Sequence, residues 1–326
     1  MSPGRIVSAL AVVGLSAWLL LAVFRPPPPP APPRTFTSSS ECRNCHAGAY
    51  AEWQDSWHSR AWVDADVRTL SNDFANTDCI DCHAPRPVFE TGIGQRVLPR
   101  ETRRVEGVDC IACHLRPDDR IAGTIDAPSA ACRPVATREL ANVDFCAPCH
   151  NQHNTVDQWR ASKYAEPGPG YQDCLSCHMP YRDGDPSKGR DHRMHGGHAL
   201  ELVKRAVELR AKRVDGNAVV EVENVGAGHN FPTDERSRAS DLFWRPRGET
   251  TWRPLYRFRN PYRFEVDLPN TELAAHATLA REIDDPAAAG AIEIALFYKF
   301  SPYWTDPTAP DPEREAVLVH RVELEP

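Results

Sequence analysis

The pattern Cys-x-x-Cys-His occurs five times in this chain: Cys42-x-x-Cys45-His46, Cys79-x-x-Cys82-His83, Cys110-x-x-Cys113-His114, Cys146-x-x-Cys149-His150 and Cys174-x-x-Cys177-His178. Two thiols three positions apart can each add to a vinyl group on one porphyrin edge. The residue that follows is then placed under the iron as the proximal axial ligand. Chance would produce about 0.015 such motifs in a chain of this composition. Zinc binding by Cys-x-x-Cys pairs and a disulfide framework are the competing chemistries, but neither explains why histidine follows every pair. The motifs therefore read as attachment sites for five covalently bound haem c groups.

The chain has 13 histidines, and those outside the motifs are His58, His153, His192, His195, His198, His229, His276 and His320. They matter because a low-spin electron-transfer haem needs a second axial ligand. On a continuous helix His58 would lie about 18 Å from His46 and roughly 120° round the axis, so it is expected to serve a neighbouring haem. The run His192-Arg-Met-His195-Gly-Gly-His198 offers three imidazoles beside the fifth motif, and at least two are expected to bind iron. His229 stands in a glycine-rich loop, Asn224 to Thr233, whose glycines would let the backbone approach a flat macrocycle; it is a candidate distal ligand that docks one domain on another. His153 is too close to His150 to cap the same haem, which leaves another haem or the surface. His276 and His320 read as structural. Cys132 has no motif partner, and three roles stay open: distal thiolate, reactive thiol, or small buried residue.

The elements that must position these groups fall into two textures. From about Glu41 to His198 the chain is loop-rich and poor in aliphatic periodicity, with short helices expected at 47–63 and 153–165. Such a stretch cannot build an ordinary core, and the porphyrins would supply one. After Leu200, short runs rich in valine, phenylalanine and tyrosine alternate with turn signals, predicting strands at 201–213, 218–224, 239–246, 251–258, 262–268, 277–283, 291–300 and 315–324. The predicted fold is multidomain: a loop-rich, mainly α pentahaem domain over 41–200, then an all-β antiparallel sandwich over 201–326.

The N-terminus adds a compartment. Ile6 to Phe24 is an uncharged, mostly apolar run of 19 residues, long enough to span a bilayer. No small-x-small cleavage site follows it, so residues 1–25 read as an uncleaved signal anchor or transmembrane helix, with a cleaved signal peptide as the alternative. Arg25 to Arg34 holds seven prolines in ten residues, so 26–40 reads as a semi-rigid polyproline spacer. Haem attachment takes place outside the cytoplasm, which puts the rest on the periplasmic side of the membrane or exported. Net charge of −7 and a pI near 6.0 give no reason to expect nucleic acid. The stretch Arg236–Arg263 carries eight arginines against Asp241 and Glu249; it is a docking patch or a strand face paired with acids elsewhere.

Four segments resemble the multihaem cytochrome family related to the nitrifiers' tetrahaem cytochrome that accepts electrons from hydroxylamine oxidoreductase. They are Cys42-Arg-Asn-Cys-His-Ala-Gly-Ala-Tyr50 running into Trp53-x-x-Ser56-x-His58; Glu106-Gly-Val-x-Cys110-x-x-Cys-His114; Cys146-x-x-Cys-His-Asn151 with Gln158-Trp-x-x-Ser-x-Tyr164 and Cys174-x-x-Cys-His-Met-Pro180; and the His192–His198 loop with Gly228-His-Asn-Phe-Pro-Thr233. The resemblance covers roughly residues 40 to 235. It implies His58, His192 and His198 as distal ligands. The sequence departs near Cys132, where relatives more often offer a histidine, which puts the capping of one haem in question.

The favoured reading is an electron carrier between a donor and an acceptor protein. The rivals are a reductase or oxidase of a small nitrogen or sulfur compound at one open haem, and a subunit of a haem filament or membrane cytochrome complex. The second rival brings homo-oligomer or complex formation with it.

Overall fold

The structure, a computed structural model, describes residues 36–233, 237–262 and 264–326. The apolar run Ile6–Phe24 and most of the proline-rich spacer lie outside the described residues, as do Arg236 and Arg263. Among the described residues no helix is long and apolar enough to cross a membrane.

The N-terminal part is a succession of short helices. After a 3₁₀ turn at Ser39–Asn44 come α1 (Ala47–Asp55), α2 (Trp57–Arg60), α3 (Ala65–Leu70), α4 (Asp78–His83), α5 (Val88–Thr91), α6 (Cys110–His114), α7 (Val143–His150), α8 (Thr155–Arg160) and α9 (Cys174–His178). The two short strands β1 (Ala122–Gly123) and β2 (Val135–Ala136) pair in parallel. The helix expected over 47–63 is broken at Ser56, whose backbone is extended. Its hydroxyl donates to the Trp53 carbonyl at 2.6 Å and accepts from the Ser59 amide at 3.3 Å, ending α1 and capping α2 together. His58 therefore does not sit on the same helix as the first motif, and the continuous-helix estimate of its direction does not apply.

The C-terminal part begins with α10 (Leu200–Ala206) and runs through β3 (Val207–Val214), β4 (Asn217–Asn224), β5 (Ala239–Pro246), β6 (Arg253–Phe258), β7 (Thr278–Glu282), β8 (Ile292–Lys299), α11 (Pro312–Glu315) and β9 (Val317–Leu324). The strands form two antiparallel sheets, ordered β3-β4-β7 and β6-β5-β8-β9. In β4, Ala218, Val220, Val222 and Asn224 are buried in strict alternation, so one face of that sheet meets the core. The central strands β5 and β8 are buried on both faces. Leu242, Trp244, Ile294 and Leu296 enter the main core, while Phe243, Ala295 and Phe297 pack outward against Trp252 and Trp304. The apolar cluster of the N-terminal part is small, Phe74, Ile80 and Ala84 with Trp62 and Val67.

Two strand expectations fail. Residues 200–206 are helical, with the Glu201–Lys204 pair one turn apart at 3.0 Å and the Lys204 and Val207 carbonyls accepting from His320 Nε2. Residues 262–268 alternate apolar and polar in sequence, but the described residues 264–268 form turns, leaving Phe264 76% and Val266 83% exposed. Pro261 and Pro269 bracket this run, and Glu265 accepts from the Tyr262 amide at 2.8 Å, folding it on itself before a ladder can form.

Candidate functional site

The first Cys-x-x-Cys-His segment bridges the 3₁₀ turn Ser39–Asn44 and α1, with Cys45 and His46 at the junction, and the last four are single helical turns or end a helix. That places the two thiols, at i and i+3, on one side with the histidine next to the second. Asp109 and Asp173 cap α6 and α9, accepting from the Ala112 and Ser176 amides, each at 2.8 Å. Asn142 caps α7 through the Asp144 amide at 3.0 Å. None of the eleven cysteines is joined in a disulfide in this structure.

Thiols of different motifs touch. Cys110 is hydrogen-bonded to Cys42, Cys149 to Cys82 and Cys146 to Cys174. Each partner pushes the first-named thiol above its ordinary value. The motif segments are thus neighbours in the pairs one–three, two–four and four–five, with the fourth touching two others.

Three motif histidines face a second imidazole. The ring centroids of His114 and His192 are 6.3 Å apart, those of His178 and His229 are 6.3 Å apart and within 11° of parallel, and those of His58 and His150 are 5.9 Å apart. A metal–nitrogen bond of about 2 Å on each side, with roughly 1 Å more to each ring centre, separates two imidazoles on one metal by about 6 Å. The chain therefore holds three imidazole pairs at the spacing that a shared iron requires, and the residues fit the group that the motifs imply. Burial lowers His58 to about 3 and His229 to about 4, and it also lowers His114 and His192. These rings are neutral near pH 7, the form that ligates.

Long-range contacts aim these rings. Gly107 has φ +60, and a Cβ there would lie 2.3 Å from the His58 carbonyl oxygen, so only glycine allows the chain to cross over α2. Val108 then donates to that carbonyl at 2.8 Å and accepts from Trp53 Nε1 at 2.8 Å. Glu52 accepts two bonds from Arg182, at 2.6 Å each, and one from the His192 amide at 2.9 Å. Asn224, fully buried, donates to the His229 and Leu273 carbonyls and accepts from the Ala227 amide. In the His229 loop a Cβ on Gly228 would meet Tyr164 at 3.0 Å and Trp159 at 3.2 Å, so glycine there admits two aromatic side chains.

The remaining candidates are placed differently. His46 opens α1 and is exposed. His83 donates through Nδ1 to the Ala61 carbonyl at 2.8 Å, and its ring lies 5.9 Å from that of Phe74. His198 is stacked between Trp57, at 3.5 Å, and Phe300, at 4.4 Å. Its Nε2 accepts from Arg238 at 3.0 Å, which engages the lone pair that an iron would need. His195 contributes its carbonyl, which accepts from His178 Nδ1. His276 packs on Tyr164, and Cys132 is half-buried in a turn. The arginines of the basic stretch are mostly neutralised: Arg245 by Glu293, Arg247 by Glu323 and Glu325, Arg253 by Glu249 and Asp285, Arg257 by Asp241, Arg259 by Glu265. The strand-face reading of that stretch fits better than the docking patch.

Residues 41–115, which hold the first three motifs, match the family described as cytochrome c554 and c-prime. The chain is similar in structure to a penta-haem cytochrome c552 from Thermochromatium tepidum, with a TM-score of 0.63 and 20% identity over 88% of this chain and 98% of that one. The fold is that of a multihaem c-type cytochrome. A superoxide reductase (neelaredoxin) from Archaeoglobus fulgidus aligns with 37% of this chain and 90% of its own at 16% identity and a TM-score of 0.21. No curated protein matches the chain.

Proposed function

We propose that the chain is an exported pentahaem c-type cytochrome that carries electrons between two redox partner proteins. The observation that carries the proposal is the set of three facing imidazole pairs, His58 with His150, His114 with His192 and His178 with His229, on a framework of five attachment motifs. When bound, haem c supplies a one-electron iron couple whose potential follows its axial ligands and surroundings.

The polypeptide's part is to hold these groups in order. The ten motif cysteines anchor the macrocycles, and the fold brings motifs one and three, two and four, and four and five side by side. His46 and His83 are proximal ligands in the first and second sites. Burial keeps His58, His114, His192 and His229 neutral, and ligands held in place let little reorganisation accompany a change of charge. His198 serves as a bridge between α2 and the β-rich part. The apolar segment Ile6–Phe24 tethers the protein to the periplasmic face of the membrane, with the proline run as spacer.

The test is a haem count with spin-state analysis on the intact protein. Pyridine haemochrome content against protein mass is expected to give a ratio of five. Electron paramagnetic resonance of the oxidised form is expected to give at least three low-spin irons. A ratio of four or fewer, or fewer than three low-spin centres, would sink the assignment.

A further inference from the structure

Arg100 lies between the second and third motifs and belongs to neither, yet it is only 5% exposed. Burying a guanidinium is costly unless its donors are occupied. Its Nη1 donates to the Pro85 carbonyl at 3.1 Å, and its Nη2 donates to the Arg103 carbonyl at 2.8 Å and to the Gly107 carbonyl. Its amide donates to the Ala84 carbonyl at 2.9 Å, and the buried Asp109 carboxylate stands 3.5 Å from Nη1. One planar side chain thus joins the stretch that leaves the second motif to the stretch that enters the third.

The turn it holds is unusual. The 3₁₀ turn Arg104–Glu106 is bracketed by two left-handed residues, Arg103 at φ +55 and Gly107 at φ +60. A non-glycine residue rarely adopts that backbone, and such a conformation persists where its surroundings impose it. Arg100 Nη2 bonds the carbonyls of both residues and so pins the two ends of the turn. Gly107 is also the residue wedged against the His58 carbonyl, which accepts from the Val108 amide at 2.8 Å.

We propose that Arg100 is a positioning residue for the fourth haem site: by clamping Gly107 it fixes α2 and sets His58 opposite His150. This rests on the reading of His58 as an axial ligand. Arg100 acts through the Gly107–Val108 crossing rather than on the ring itself. Lysine is no equivalent. A single ammonium lacks the rigid fork that lets one guanidinium bond the Pro85, Arg103 and Gly107 carbonyls in a fixed geometry.

Paramagnetic resonance of the oxidised holoprotein tests this with Arg100→Lys and Arg100→Met, read against His58→Ala, His192→Ala and His229→Ala. The low-spin signal that disappears in His58→Ala is expected to turn partly high-spin in Arg100→Lys, and to a larger extent in Arg100→Met. The signals that disappear in His192→Ala and His229→Ala are expected to keep their native positions in both. An unchanged His58 signal in both Arg100 variants overturns the proposal. An equal change in all three signals overturns it too, because Arg100 would then be a general support of the fold, and failure of both variants to take up haem has the same meaning. A His58→Ala protein with its full complement of low-spin signals instead overturns the ligand reading beneath it.

Discussion

His178, at the end of a helical turn, and His229, in a loop between two strands, face one another with ring centroids 6.3 Å apart and planes within 11° of parallel. One belongs to the last haem motif and the other to the β-rich part, so the pair joins the two halves of the chain. His229→Ala is expected to convert one low-spin centre to high-spin and to make residues 207–324 more susceptible to protease. Unchanged spectra together with native proteolysis would show that the loop is only a turn.

Glu52 ties α1 to the His192 loop through Arg182 and the His192 amide. Its carboxyl is held below the usual range, first by the Arg182 hydrogen bond. Glu52→Gln removes the charge from these bonds, and a hydrogen bond to a charged group is worth about 1.5–3 kcal/mol. A fall of about 2 kcal/mol in chemical denaturation is expected, with a broadened signal from the His114/His192 centre. The native contribution is present above the unfolded carboxylate pKa and is lost as pH falls through the lowered folded value. A variant as stable as native, with the same spectrum, would assign no role to this bridge.

Gly107→Ala sets a Cβ 2.3 Å from the His58 carbonyl oxygen at φ +60. The clash and the left-handed backbone together are expected to cost about 3 kcal/mol or more. Gly248, at φ +91 with open space around it, isolates the backbone term, and Gly248→Ala is expected to cost about 1 kcal/mol. Comparable thermal shifts in the two variants would mean that the crossing over α2 is not tight.

Asp241 lies buried between β6 and β8, and loss of solvent raises its pKa to about 6 despite Arg257, Lys299 and Arg259 nearby. The folded state then binds this proton more tightly than the unfolded chain, whose aspartate titrates near 3.9. Its stabilising effect is complete below about pH 4 and disappears as pH rises through 6, a change on the order of 2–3 kcal/mol. Asp241→Asn is expected to flatten that slope and to raise stability at pH 7. Denaturation midpoints for both proteins from pH 4 to 7 decide it; parallel curves would exclude Asp241 as the source.

The strand prediction at 262–268 went wrong because alternation marks a half-buried strand only where a neighbour offers a ladder. Here prolines at 261 and 269 and the Glu265 bonds close the segment on itself. The break at Ser56 was hidden for a similar reason. A serine inside a helical pattern is ordinary, and only its bonds to Trp53 and Ser59 make it an end and a beginning. In the β-rich part the alternation of β4 and the apolar runs of β5 and β8 were legible, because burial on one face or two writes itself into every second residue or every residue.

Attachment chemistry was wholly local. Cysteine, cysteine and histidine lie within five consecutive residues, so the five candidate sites and their candidate proximal ligands were legible without any fold. The opposite side of each site is not local. An imidazole there can arrive from any segment, and its arrival depends on contacts between residues far apart in the chain: Gly107 over the His58 carbonyl, Glu52 on the His192 amide, Asn224 on the His229 carbonyl. The spacing of histidines nominated His58, His192, His198 and His229 alike. In the folded chain the rings of His58, His192 and His229 lie about 6 Å from motif histidines, while the Nε2 of His198 lies 3.0 Å from Arg238, and only the tertiary contacts decide these positions.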